Sequence, residues 1–183
     1  PLWVTYLPCV RLVGGTPVLV PLMEDEGWKL SSEEIEKRIT QKTKMIIIVN
    51  PHNPTGRVLR KSEIEEIVDV VKEHDLLVLA DESYEKYVYD GLRHYSIASF
   101  PDMAERTITI QTTSKIFNMF GWRVGWVTGS KEIIRHASAV HSHLVACPAS
   151  FAQAGAVAAL RKKPLVVLGG MTLPEMIKEW QER

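Results

Sequence analysis

The chain has 183 residues, with 22 Lys and Arg against 22 Asp and Glu and a formal net charge of zero. That balance argues against a nucleic-acid-binding protein, which carries a basic excess, and 45% hydrophobic with 24% charged residues is a globular composition, not a disordered one. The tightest apolar runs, Met45–Val49 and Leu76–Ala80, fall well short of the roughly 20 residues that span a bilayer, and two cysteines, Cys9 and Cys147, suit a reducing compartment and not a disulfide framework; a cytoplasmic setting is the expectation.

Strand and helix signals alternate along the chain. Pro17–Leu22 reads as a strand whose regular part is confined to the middle by Pro17 and Pro21. A helix follows at Ser31-Ser32-Glu33-Glu34, a capping-box pattern with Leu30, Ile35 and Ile39 as apolar positions. Lys44–Val49 is a β-branched run without alternation, as in a strand buried on both faces. The turn-rich loop Asn50-Pro51-His52-Asn53-Pro54-Thr55-Gly56 leads to a second capping box, Ser62-Glu63-Ile64-Glu65. That box opens a helix with Ile64, Ile67, Val68 and Val71 on one face. Leu76–Ala80, Thr107–Gln111 and Val124–Thr128 are further strands. From Lys131 the pattern is helical and Ala-rich to about Lys163, with an interruption at Pro148, and Thr172 caps a last helix carrying Leu173, Met176, Ile177 and Trp180. The order predicts an α/β fold, a mostly parallel sheet covered by helices on both faces.

Ligands of such sheets sit beyond the carboxyl ends of the strands, and three of those ends are unusual. Asn53 follows the first buried strand in an Asn-Pro-Thr-Gly turn, Asp81 and Tyr84 follow the second, and Thr112, Ser114 and Lys115 follow the third, ahead of Gly121-Trp122-Arg123-Val124-Gly125-Trp126. Each has a bland reading when isolated. Asn-Pro-Thr-Gly is a good turn in any protein, Asp81 is a natural helix cap, and a lone Lys115 is a solvated surface lysine. Gly-Trp-Arg-Val-Gly-Trp is a strand whose glycines admit close packing of two indoles. The information lies in the set, its order and its place at strand ends. His136, His141 and His143 read as part of a solvated helix, His52 and His94 as loop residues without a paired acid, and Cys147 as a small buried hydrophobe.

Asn53-Pro54-Thr55-Gly56, Asp81-Glu82-Ser83-Tyr84, Thr112-Thr113-Ser114-Lys115 and Gly121-Trp122-Arg123-Val124-Gly125-Trp126 resemble, in order, the motifs of fold type I pyridoxal-phosphate aminotransferases of class I/II. Val10–Val18 and Ser96–Ser99 resemble the branch of kynurenine and glutamine aminotransferases that double as cysteine-conjugate β-lyases. The resemblance implies the following roles. Lys115 bonds to the coenzyme aldehyde and moves the substrate α-proton. Asp81 keeps the ring nitrogen protonated, and Tyr84 and Asn53 hold the phenolic oxygen. Thr112 and Arg123 take the phosphate, with Ser114 a weaker candidate, and Trp3 stacks on the ring. Position 49 is Val49 where that branch has an asparagine, with Asn50 one residue on.

The resemblance further implies an amino acid and a 2-oxo acid as substrates, kynurenine- or glutamine-like donors, a homodimer, and no metal, membrane or nucleic-acid partner. Family members are about twice as long, and both ends of this chain read as cut. Residues 1–163 are expected to be the pyridoxal-phosphate-binding large domain without its N-terminal part, and 164–183 a helical segment leading toward a small domain. No arginine here is assigned to the substrate carboxylate, so the chain alone is expected to be inactive. Two alternatives stand beside transamination: β-elimination from cysteine conjugates, and a truncated, non-catalytic binding or dimer partner.

Overall fold

The computed structural model describes residues 1–161 and the backbone of Val167–Leu168 and Met171–Thr172. The elements run α1 (Tyr6–Leu12), α2 (Ser32–Glu36), β1 (Met45–Val49), α3 (Lys61–Glu73), β2 (Leu77–Asp81), β3 (Thr107–Thr112), α4 (Thr113–Ile116), β4 (Gly125–Thr128), α5 (Lys131–Leu144) and α6 (Ser150–Arg161). Two short strands follow, β5 (Val167–Leu168) and β6 (Met171–Thr172). Strands β1 to β4 lie in one mostly parallel sheet in chain order, the α/β architecture expected. The chain divides into two compact units inside β3, Pro1–Thr109 and Ile110–Arg183.

In the first unit, β1 and β2 pair in parallel from Met45↔Leu77 to Val49↔Asp81, so both deliver their carboxyl ends to one edge. Val78 and Ala80 are buried in the core, while Leu77 and Leu79, on the other face of the strand, are half-buried. Helix α3 presses Ile64, Ile67, Val68 and Val71 into the same core, together with Ile35 of α2. Burial of each such side chain contributes about 1.5–3 kcal/mol.

Helix α3 starts earlier than its sequence pattern implied. Arg60 is the N-cap and its N–H donates to Glu63 Oε2 at 2.8 Å, so Ser62 lies inside the first turn. The helix ends with Leu76 N–H on Val71 O at 2.9 Å and Asp75 N–H on Lys72 O at 3.3 Å, Asp75 taking the left-handed conformation at φ 47°. Helix α2 is capped as expected, Ser31 Oγ accepting the Glu34 N–H at 3.3 Å. Residues 17–22 form no strand, because two prolines in six residues remove two ladder donors.

In the second unit, Thr113 N–H and Oγ1–H both donate to Val124 O, at 3.1 and 3.0 Å, and the Trp126 indole donates to Gln111 Oε1 at 2.8 Å. Partner numbers fall along β4 as they rise along β3, so this pair is antiparallel. Gly125 permits the approach, since a Cβ there would stand 2.8 Å from Gln111 O. The glycine that makes room for Trp122 is Gly155 of α6, where a Cβ would lie 2.6 Å from the indole ring.

Helix α5 has no buried residue, and His136, His141 and His143 are exposed on it as expected. Cys147 is exposed and not buried as its sequence context suggested; it lies beside Pro148 in the connection between α5 and α6, where Val145, Ala146 and Ala149 are exposed too. β5 and β6 form an antiparallel pair, Val167↔Thr172 and Leu168↔Met171, so these four residues are extended where a helical segment was expected. The expected last helix, with Leu173, Met176, Ile177 and Trp180, lies outside the described residues. Among the described residues no helix is long and apolar enough to cross a membrane.

Candidate active site

In the first unit the chemistry gathers where β1 and β2 end. Asn50, only 5% exposed, donates its N–H to Asp81 O at 3.0 Å and accepts the Leu59 N–H on Oδ1 at 2.9 Å. Its side chain is thereby committed to closing the loop that carries Asn53. The Asn53 turn is tightened from within, His52 Nδ1 lying 2.8 Å from Thr55 Oγ1 and Gly56 N–H donating to His52 O at 2.7 Å. Burial pushes the His52 imidazole below its ordinary pKa.

Asp81 is held on both oxygens. Ser83 N–H donates to Oδ1 at 3.0 Å, and the Tyr6 phenol of α1 donates to Oδ2. Burial, then the bond to Asp81 and its charge, push the Tyr6 phenol far above its usual pKa, so it remains a donor. Tyr84 is half-buried, its ring edge-on to Tyr87 at 5.8 Å. Trp3 stands before α1, 46% exposed.

Two features here escaped the sequence reading. Tyr6 carries no sequence signal because its partner lies 75 residues away, a distance no spacing rule covers. His94 has no paired acid at a recognisable spacing in the sequence, yet its ring shares a cluster with the Glu82 and Glu85 carboxylates, the ligand atoms all within 4.8 Å of one another. Burial lowers the His94 pKa. Glu82 is 3% exposed, and burial pushes its carboxyl up to about 7, the charges of Glu85 and Asp81 adding to the rise and a Ser96 hydrogen bond opposing it.

In the second unit Thr112 caps α4, its Oγ1 accepting the Ser114 N–H at 3.1 Å and lying 3.0 Å from Ser114 Oγ and 3.1 Å from Val124 O. Lys115, half-buried on α4, sets its ammonium 4.9 Å from the Phe120 ring centre. Arg123 is exposed, takes the left-handed conformation at φ 55°, and donates from Nη1 to Phe120 O at 3.0 Å. The amine and the guanidinium are thus both drawn to Phe120. By itself, the first unit holds a carboxylate, a phenol and an amide, groups suited to a ring N–H and a phenolic oxygen. By itself, the second holds a primary amine, hydroxyls and a guanidinium, groups suited to an aldehyde and a phosphate.

The family model described as aminotransferase class I and II matches residues 1–183. The aspartate aminotransferase of Pyrococcus abyssi is 44% identical over 183 residues, covering all of this chain and 46% of that protein. Kynurenine–oxoglutarate transaminase 3 of Homo sapiens is 39% identical over 154 residues, 79% of this chain and 34% of that protein. The crystal structure of the aromatic aminotransferase from Pyrococcus horikoshii OT3 superposes with a TM-score of 0.87 at 47% identity, covering 89% of this chain and 44% of that one. The chain therefore spans less than half the length of these relatives.

Proposed function

Because the chain belongs to the aminotransferase class I and II family, we propose that the whole protein moves an amino group from an amino acid to a 2-oxo acid with pyridoxal 5'-phosphate as coenzyme. The observation that carries this reading is Asp81, a carboxylate at the end of β2 with each oxygen already oriented by a donor. When bound, the coenzyme supplies a ring that accepts the electron pair left as the substrate α-proton departs.

This chain's residues do the rest. Lys115 Nζ would hold the coenzyme and move the α-proton. Asp81 keeps a proton on the ring nitrogen. Tyr84 and Asn53 would donate to the phenolic oxygen, Thr112 and Arg123 would bind the phosphate with Ser114 in a lesser part, and Trp3 would stack on the ring and exclude water from it. A homodimer in a cytoplasmic setting belongs to the same reading.

For the donor, the proposal is a large or aromatic amino acid, kynurenine- or glutamine-like. The names of the human and Pyrococcus horikoshii relatives support it. The name of the Pyrococcus abyssi relative supports a second reading, aspartate. Turnover of the full-length protein with kynurenine, glutamine, phenylalanine and aspartate against 2-oxoglutarate separates them. Preference for aspartate would displace the first reading, and no turnover with any amino donor would overturn the aminotransferase assignment.

A further inference from the structure

We propose that Tyr6 is a positioning residue that acts on the reaction through Asp81. The inference rests on the coenzyme role of Asp81 proposed above and adds to it a group from another element of the fold.

Tyr6 opens α1, and none of the seven side chains of that helix is fully buried. Core packing does not dictate where its phenol goes. The phenol nonetheless crosses to the end of β2 and donates to Asp81 Oδ2, while Ser83 N–H donates to Oδ1 at 3.0 Å. A carboxylate gripped on one oxygen can still turn about its Cβ–Cγ bond. Gripped on both, it turns only by breaking one of the bonds. The Ser83 donor is main chain from two residues further on and moves with the strand end. The Tyr6 donor is the one that ties the carboxylate plane to a second element.

Each carboxylate oxygen accepts more than one hydrogen bond, so neither donor consumes the capacity that a ring N–H needs. A hydroxyl donating to an ionised acceptor is among the stronger polar contacts. Burial and the adjacent Asp81 charge keep the phenol protonated, so Tyr6 is a fixed donor and takes no part in moving protons.

The test is a double-mutant cycle in the full-length protein: wild type, Tyr6→Phe, Asp81→Asn and the double variant. Coenzyme dissociation constants are read by titrating apoprotein with pyridoxal phosphate, beside kcat, KM and the melting temperature. Phe keeps the ring and removes only the donor. The expected result is a loss in coenzyme affinity and kcat on the order of tenfold for Tyr6→Phe, the scale of one hydrogen bond to a charged group, with KM little changed. In the Asp81→Asn background the same substitution should change affinity and kcat by less than about twofold, because the group it acts through is already neutral. Equal losses in both backgrounds would assign Tyr6 a merely structural role and overturn the proposal, as would no loss in either. If Asp81→Asn itself retains coenzyme affinity and turnover, it is the coenzyme role of Asp81 that fails. If Asp81→Asn is crippled and Tyr6→Phe is not, only the role of Tyr6 fails.

Discussion

Asn50 and Leu59 hold the two ends of one loop together, the Asn50 amide oxygen accepting the Leu59 N–H at 2.9 Å. Both residues are buried, so the bond has no water to replace it. Asn50→Ala should leave the Leu59 N–H unsatisfied and cost about 1–3 kcal/mol of stability. A lowered urea midpoint in the full-length protein, together with weaker coenzyme binding because Asn53 rides on this loop, would bear that out. An unchanged midpoint would show that the loop is held by its other bonds.

Gly125 faces the main chain of β3, where a Cβ would stand 2.8 Å from Gln111 O. Backbone cannot move aside as a flexible side chain can. Gly125→Ala should therefore push β4 away from β3 and cost roughly 1–3 kcal/mol, the usual scale of overpacking. Melting temperature measures it, and a variant as stable as wild type would contradict the close approach of the two strands.

The buried carboxyl of Glu82 makes stability depend on pH. Its pKa is raised from the ordinary 4.5 to about 7 in the folded state, so folding takes up protons between those values. The stability linked to Glu82 is present in full below about 4.5 and is lost as the pH rises through about 7. Glu82→Gln removes the titration. It should be more stable than wild type at pH 8, by on the order of 2–3 kcal/mol, with the gap closing toward pH 4.5. A gap that stays constant across that range would show that Glu82 ionises normally.

The 183 residues alone, which span 46% of the Pyrococcus abyssi relative, should bind pyridoxal phosphate weakly and show no transamination. No arginine among them is assigned to the substrate carboxylate. Their second unit also exposes large apolar side chains such as Leu144 and Phe151, which favours aggregation. Clear turnover with any donor would mean that the substrate site is built from residues not named above.

Much of this was legible in the sequence, for identifiable reasons. The β-branched run at Met45–Val49 is a strand as its pattern implies, although it is not buried on both faces, Ile48 being buried and Met45 exposed, and Ile64, Ile67, Val68 and Val71 recur at the spacing of one helix face. What escaped depends on partners remote in sequence or on packing. Ser62 has the sequence pattern of a cap, but Glu63 reaches back to the Arg60 N–H and makes Arg60 the cap. Helix α1 has Pro8 in its first turn and no buried stripe, so periodicity gave it no signal. His94 gains its acids, and Asp81 its phenol, only when the chain is folded.

The identity of the coenzyme-bearing amine is the claim on which the rest depends. Reducing the full-length protein with borohydride in the presence of pyridoxal phosphate and mapping the peptides tests it most directly. The pyridoxyl group should be found on Lys115, the half-buried lysine of α4 beside Phe120, and Lys115→Ala should abolish the label. A label on Lys86 or Lys131 instead, or one that survives Lys115→Ala, would contradict the account.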